Sequence, residues 1–274
     1  MKTAYIPPIP HLKDFGVGDF HLILSHLLDD PEYREHYKEQ RARGAWLLLD
    51  NSAHEDGQGA DAEKLIYQAL DLDVQEVVVP DVLDNADGTL EMSISALETW
   101  NNLRNLKEKI EHLRFMYVPQ GEDYDRLVYC LDNLVKAHVY NARQQHYRLD
   151  FSLGISKDYE RFEGGLMRFL DEEISPLHKA FAKNGVDVQV HMLGWGRQLW
   201  ELPKIARKHT FLRSTDSAKP FVYGLSGITL NTGGPPPEYP TRPKDYFCLE
   251  MTPEQIVAST INADIFTAMA SGEI

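Results

Sequence analysis

The chain has 274 residues, 43% of them hydrophobic and 26% charged, an ordinary globular composition. Its formal net charge of −14 excludes a general nucleic-acid coat, because broad phosphate binding needs clustered Lys and Arg. Two cysteines, Cys130 and Cys248, exclude a disulfide framework and cannot by themselves build a Cys-rich zinc site.

No apolar run reaches the roughly 18 residues of a membrane span. The start, Met1 to Pro8, has no signal-peptide core, so a reducing, cytoplasmic compartment is the expectation.

In chain order, Tyr5-Ile6 is a short first strand. A polar, helix-like stretch from His21 to about Arg43 follows it, and Trp46 to Asp50 is a continuous apolar strand. Ala62 to Leu70 reads as a helix. Glu76 to Asp81, rich in β-branched residues, reads as a strand. Leu97, Trp100, Leu103, Leu106, Ile110 and Leu113 recur at helical spacing. Phe115 to Val118 is a strand ending in Pro119-Gln120-Gly121, and Leu127, Val128, Leu131, Leu134 and Val135 mark a further helix. Leu149 to Ile155 is a strand closed by Gly154-Ile155-Ser156. The segment from Phe162 to Lys183 is helical and stops at Asn184-Gly185. Val186 to Leu193 is a strand running into Gly194-Trp195-Gly196. A helix from about Leu199 to Lys208 precedes the short run Phe211-Leu212, and Phe221 to Leu225 reads as the eighth strand. Asn231 to Pro243 holds five prolines and two glycines and forms a long loop. A helix from Pro253 to about Met269 ends the chain.

Strand and helix alternate nearly eight times, which implies a parallel sheet. The count and the length predict an α/β protein, a single (β/α)8 TIM-type barrel spanning 1–274. No Gly-x-Gly-x-x-Gly or Walker pattern supports a nucleotide-cofactor fold, so no cofactor is expected.

In such a barrel the residues after each strand converge on one mouth. Asp50 ends the apolar run 46–49, and Asp216 follows Phe211-Leu212, so two aspartates stand where a barrel enzyme keeps its reactive groups. Their chemistry suits a nucleophile and a proton-transfer partner. Asp81 and Gln120 add donor and acceptor groups that can read the edge of a purine. Gly121, Gly154 and Gly194 allow a backbone to approach a flat ring closely. Each residue also has a plainer reading. Asp50, Ser52 and Asp216 fit helix caps, and Asp81 and Gln120 fit turns. His54 and His191 belong to no metal-binding spacing, and Trp195 and Tyr223 fit a core as well as a stacking face. Arg197, Lys208 and Arg213, with Arg242 and Lys244 further on, form basic strips that suit either a phosphate contact or a solvated helix face.

Taken in order, these segments resemble the tRNA-guanine transglycosylase superfamily. Asp50 with Ser52 is similar to the family's Asp-Ser-Gly-Gly segment, which carries the general acid/base. Asp81 corresponds to its base-recognising Asp, and Gln120-Gly121 to its Gln-Gly. Gly154-Ile155 corresponds to the backbone that contacts the exocyclic groups of the base. Leu193-Gly194-Trp195-Gly196 resembles Met-Gly-Val-Gly, and Thr215-Asp216-Ser217-Ala218 resembles the Phe-Asp-Ser-Ala that carries the nucleophile. The resemblance spans residues 46 to 218. It implies a (β/α)8 enzyme that exchanges guanine in nucleic acid for a free 7-deazaguanine base through a covalent Asp glycosyl-enzyme, without metal or cofactor.

Two departures stand out. Asn51 and Ala53-His54 replace the glycines of the first motif, and the family's Cys-x-Cys-x-x-Cys plus His zinc module has no counterpart. The missing module favours the shortened, often phage-encoded members that act on DNA over those that act on tRNA. A protein partner or a second copy of the chain would then supply missing positive surface. The residues alone leave open a barrel nucleoside or glycoside hydrolase using the same two aspartates, and a non-catalytic accessory subunit.

Overall fold

In the computed structural model, residues 1–57, 59–103, 106, 110–145, 148–195, 199–230 and 240–274 are described. Eight segments among them are extended: β1 (Lys2–Tyr5), β2 (Phe20–Leu24), β3 (Trp46–Asp50), β4 (Glu76–Val78), β5 (Arg114–Tyr117), β6 (Phe151–Ser156), β7 (Val188–Leu193) and β8 (Leu212–Ser217). Every pairing between them is parallel, in the order β1-β8-β7-β6-β5-β4-β3-β2. β1 and β2, at the two ends of that order, lie side by side, so the sheet curls into a nearly closed barrel with helices outside. The protein is therefore a (β/α)8 TIM-type barrel.

The period of two along each strand explains the two cores. Leu48, Val78 and Met116 point inward with Ala4, Phe20, Leu22, Leu24 and Val118. Their neighbours Leu47, Leu49, Val77, Val79, Phe115 and Tyr117 point outward beneath the helices. Parallel strands buried on both faces need such unbroken apolar runs. The helices begin where short polar side chains can satisfy free N–H groups. Asp30 accepts from Glu32 N and Tyr33 N ahead of Pro31–Ala42, Asp61 from Lys64 N, and Asn85 from Gly88 N. Thr252 and Gln255 form a reciprocal capping box for Pro253–Ser271.

The element pattern departs from the sequence reading at β2 and β8, and the helix read from Leu97 through Leu113 ends at Asn102. The stretch read as helix from His21 opens with β2, and the helix starts only at Pro31, after the cap Asp30. All five residues of β2 are buried, and a short run buried on both sides carries no period that separates strand from helix. Phe221–Leu225, read as the eighth strand, lies in the helix Lys219–Leu225, which opens with Pro220 in its first turn. The eighth strand is the longer segment begun by Leu212. Its polar residues Ser214, Thr215 and Asp216 were read as loop because they do not look like a barrel strand.

Those polar residues reveal how the barrel interior is filled. β7 and β8 pair as Val190↔Leu212 and then His191↔Ser214, so Arg213 is the extra residue of a bulge. Its guanidinium forms a two-pronged pair with Glu76, Nη1 to Oε2 at 2.6 Å and Nη2 to Oε1 at 3.3 Å. The same guanidinium lies over the rings of Phe20 and Trp46, and Trp46 Nε1 donates to Glu76 Oε2 at 3.1 Å. Phe20, Trp46 and Glu76 are the first residues of their strands, so this pair plugs the end of the barrel opposite the mouth. Glu76 is wholly buried. Truncating one partner of a buried pair strands the other charge, at a typical cost of about 3–5 kcal/mol. Arg213→Leu should lower unfolding stability by about that amount, measured as a shift in the denaturant midpoint. A change within a few tenths of a kcal/mol would show that Glu76 does not depend on its partner.

Candidate active site

A cavity of about 250 Å³ opens at the carboxyl ends of the strands, and Asp50, Asp81 and Asp216 all line it. Asp50 is the last residue of β3 and Asp216 the penultimate residue of β8, while Asp81 follows Pro80 beyond β4. Three carboxylates in one water-poor space repel one another and favour protons, unless local donors hold each anion. The three are treated differently.

Asp216 is 3% exposed. Its Oδ1 lies 3.0 Å from His191 Nε2 and accepts from the backbone N–H of Gly194 at 2.9 Å. Gly194 has φ +61, a backbone state that L side chains rarely adopt, and this geometry turns its N–H onto the carboxylate. Asp216 is thus held on one oxygen, Oδ1, by the ring and the backbone together.

Asp50 has one donor, the N–H of Ser52 at 3.0 Å. Ser52 itself sits at φ +59, which is uncommon for a residue with a side chain. Its hydroxyl lies 2.9 Å from both Ser25 Oγ and His26 Nδ1. Burial pushes Asp50 well above the usual carboxylate range, helped by the charges of Glu55, Asp216 and Asp81, and the single Ser52 hydrogen bond only partly offsets them.

Asp81 lies between these extremes. Asn51 Nδ2 donates to Oδ1 and Gln120 Nε2 to Oδ2, both at 2.7 Å. Burial raises it to about 6, with the two amides pulling the other way. Gln120 is itself fixed, since its Oε1 accepts from Asp84 N at 3.2 Å. Asn51 Oδ1 accepts from Ala53 N at 2.9 Å.

The remaining residues singled out in the sequence divide. Gly194 and Gln120 line the cavity. Ser52 acts on it through Asp50. Gly121 packs instead against the start of the helix Tyr124–Gln145, where an added Cβ would lie 2.4 Å from Leu127 N. Gly154 is inside the barrel between Leu193 and Val118, and the Ile155 side chain belongs to the outer core. Their place at the mouth is taken by Ser156, Lys157 and Asp158, just downstream.

Among the basic residues, Arg213 is corrected outright: it is committed to Glu76 inside the barrel rather than offered to a phosphate, because the bulge in β8 turns it inward. Lys208 forms a 2.7 Å pair with Asp171 on the outer helices. Arg242 lines the cavity and pairs with Glu55 at 3.3 Å, and Lys244 is exposed. Arg197, together with Gly196 and residues 231–239 of the Pro/Gly-rich loop, lies outside the described residues.

The sequence reading names Asn51 only as a departure from the first motif and does not name Glu55, Lys157 and Lys219; all four line the cavity. Glu55 and Asn51 flank Ser52 and could have been found by extending the first motif. Lys219 was hidden by the misread strand that follows it.

Among the described residues no cluster of three or more His, Cys, Asp and Glu has the arrangement to hold a metal ion. No described helix is long and apolar enough to cross a membrane. Comparison with models of known protein families finds none that matches this chain, and comparison with curated proteins finds no match.

The Asp81 shift makes a testable statement about stability. As pH rises from about 4 towards 6, the carboxyl ionises in the unfolded chain while the folded one keeps its proton, so folding loses stability across that window. At about 1.4 kcal/mol per pKa unit, the loss attributable to Asp81 is on the order of 3 kcal/mol. Denaturant titrations of Asp81→Asn at steps between pH 4 and 6 should show a correspondingly flatter decline than wild type. Parallel declines would mean that Asp81 titrates near its ordinary value.

Proposed function

We propose that this protein is a base-exchange glycosyltransferase that replaces guanine in nucleic acid, DNA in preference to tRNA, by a free 7-deazaguanine. The observation that carries this reading is the unequal treatment of two carboxylates in one cavity. Asp216 is held by two N–H donors, while Asp50 is driven towards its protonated form. That pairing suits a nucleophile beside an acid, as in retaining glycosyl transfer.

In the first half-reaction, Asp216 attacks C1′ of the target nucleotide as the bond from C1′ to the base breaks. The electron pair goes to the departing guanine, and Asp50 gives up its proton to it. In the second, Asp50 takes the proton from N9 of the incoming base, N9 bonds to C1′, and Asp216 leaves with its electron pair restored. Asp81 accepts hydrogen bonds from the donor edge of the purine, and Asn51 and Gln120 hold it in place for that task. The target base must be unstacked or presented on a single strand to reach so enclosed a site. Lys157, Lys219 and Arg242 line the same cavity and supply local positive charge for a phosphate in an otherwise acidic chain.

The preference for DNA rests on the resemblance. The zinc ligands that lie beside the RNA-binding surface of tRNA enzymes have no counterpart in these 274 residues. Incubation with labelled guanine or a 7-deazaguanine and both nucleic acids should place label in DNA. Label in tRNA alone would reverse the substrate assignment. Release of free guanine without incorporation would instead favour a hydrolase, with water as the acceptor.

The division of labour is tested by denaturing gels that retain a covalent protein–nucleic acid adduct. Asp216→Asn should abolish adduct and exchange together. Asp50→Asn should slow exchange by roughly 10²–10⁴-fold, the usual worth of acid/base help, while some adduct still forms through Asp216. An adduct that survives Asp216→Asn but not Asp50→Asn would reverse the two roles. Indifference to both changes, as expected of a non-catalytic subunit, would end the transglycosylase reading.

A further inference from the structure

One buried titratable side chain touches Asp216 but takes no step of its own in the chemistry above. His191, in the middle of β7, is wholly buried. Its two ring nitrogens are both engaged, Nδ1 with Ser214 Oγ at 2.8 Å and Nε2 with Asp216 Oδ1 at 3.0 Å. Ser214 Oγ also receives Arg213 Nε at 3.0 Å, and Arg213 is anchored on Glu76. A row of hydrogen bonds therefore runs from the plugged end of the barrel, through Glu76, Arg213, Ser214 and His191, to Asp216 at the mouth.

The proton positions follow from what each group can do. A guanidinium only donates, so Arg213 Nε–H points at Ser214 Oγ. The hydroxyl keeps one proton, which is free to point at His191 Nδ1. Nδ1 then accepts, and the ring carries its proton on Nε2, where the Asp216 carboxylate accepts it. Gly194 N–H binds the same oxygen, Oδ1. Among the described residues, both contacts thus converge on Oδ1 of a residue that lines the cavity, which makes Oδ2 the oxygen available to a ligand there.

We propose that His191 is a positioning residue for Asp216, held in its Nε2–H form by Ser214 and Arg213. It makes Oδ2 the attacking atom and stabilises the carboxylate as it departs in the second half-reaction. The inference rests on the exchange reading given above. In the glycosyl-enzyme, C1′ is bonded to Oδ2 and the carboxylate charge is gone, so the hydrogen bond at Oδ1 weakens. When N9 of the incoming base bonds to C1′, the C1′–Oδ2 bond breaks and its electron pair returns to Asp216. The His191 hydrogen bond then regains its full strength. A donor of this kind therefore favours resolution of the adduct more than its formation.

The test uses the full chain, radiolabelled guanine-containing DNA to form the adduct, and excess free guanine to resolve it. His191→Leu should still form adduct but resolve it roughly ten- to a hundredfold more slowly, the usual worth of a hydrogen bond to a charged group. His191→Gln, whose amide nitrogen can take the place of Nε2, should recover most of the rate. If His191→Leu fails to fold, Ser214→Ala serves instead. It leaves the ring unanchored and should slow resolution about two- to tenfold, the range for a neutral hydrogen bond. Resolution at the wild-type rate in these variants overturns the proposal.

A second readout needs no activity. Nitrogen NMR of histidine-labelled protein, with the signal assigned by its loss in His191→Gln, should show a proton on Nε2 and an acceptor at Nδ1. A ring protonated on Nδ1 alone overturns the proposal. If wild type forms no adduct with any nucleic acid, the exchange reading fails by itself, and the ring measurement still decides whether His191 donates to Asp216.

Discussion

A nearly closed barrel leaves the side chains packed inside it almost no water, so each charged group buried there must find a partner or give up its charge. Eight strands enclose a space that their own side chains fill. Most inward positions here carry Ala, Leu, Val, Met or Phe. Among the polar residues that also point inward, Glu76, Arg213, Ser214, His191 and Asp216 form one connected row, while Arg114 pairs apart from it with Asp187. An isolated glutamate at the position of Glu76 would be costly, and arginine is the one side chain that can meet it with a rigid, two-pronged fork. Their pairing lets the barrel hold a polar row along its length. The bulge in β8 makes this geometry available, because it turns both Arg213 and Ser214 to the inside.

The same constraint sorts the three aspartates at the mouth. Coulomb repulsion in a low-dielectric space disfavours neighbouring anions, and local N–H donors offset it. Asp216 has two N–H groups on one oxygen, Asp81 has one amide on each oxygen, and Asp50 has a single backbone N–H. The upward shift is greatest where donors are fewest. Glu55 adds to the pressure on Asp50, while Arg242 pairs with Glu55. Burial thus raises both Asp50 and Asp81, and backbone and amide donors limit the rise.

Much of the fold was legible because parallel barrel strands are apolar on both sides. Trp46 to Leu49 and Phe115 to Val118 stand out as such runs. The first and last turns of the barrel were harder. β2 carries His21 and runs straight into polar residues, so its five buried positions looked like the start of a helix. β8 is polar because it lines the interior and the mouth, and its function hid its structure. Asp50, Asp81, Gln120, Gly194 and Asp216 could be placed at one cavity from strand ends alone. Gly121 and Gly154 could not, because a glycine that admits a neighbouring backbone or side chain reads the same as one that admits a ligand. Arg213 shows the complementary problem. A basic residue in an acidic chain invites a phosphate, but its partner Glu76 is 137 residues away and no local pattern announces it.

The polar row also links stability to the site. Burying Asp50 and Asp81 with raised pKa values costs the folded state stability near neutral pH, as marginally stable active sites commonly do. That cost can be carried only if the rest of the barrel is rigid. The Glu76–Arg213 pair sits at the end where the strands begin, away from the cavity, and holds β4 against β8 across the interior. Asp216 lies on the same strand as Arg213, two inward residues further on, so a barrel pinned at one end sets the position of the carboxylate at the other. Loosening the pin would shift the Asp216 carboxylate as well as weaken the fold, which gives a polar interior a use that apolar packing lacks.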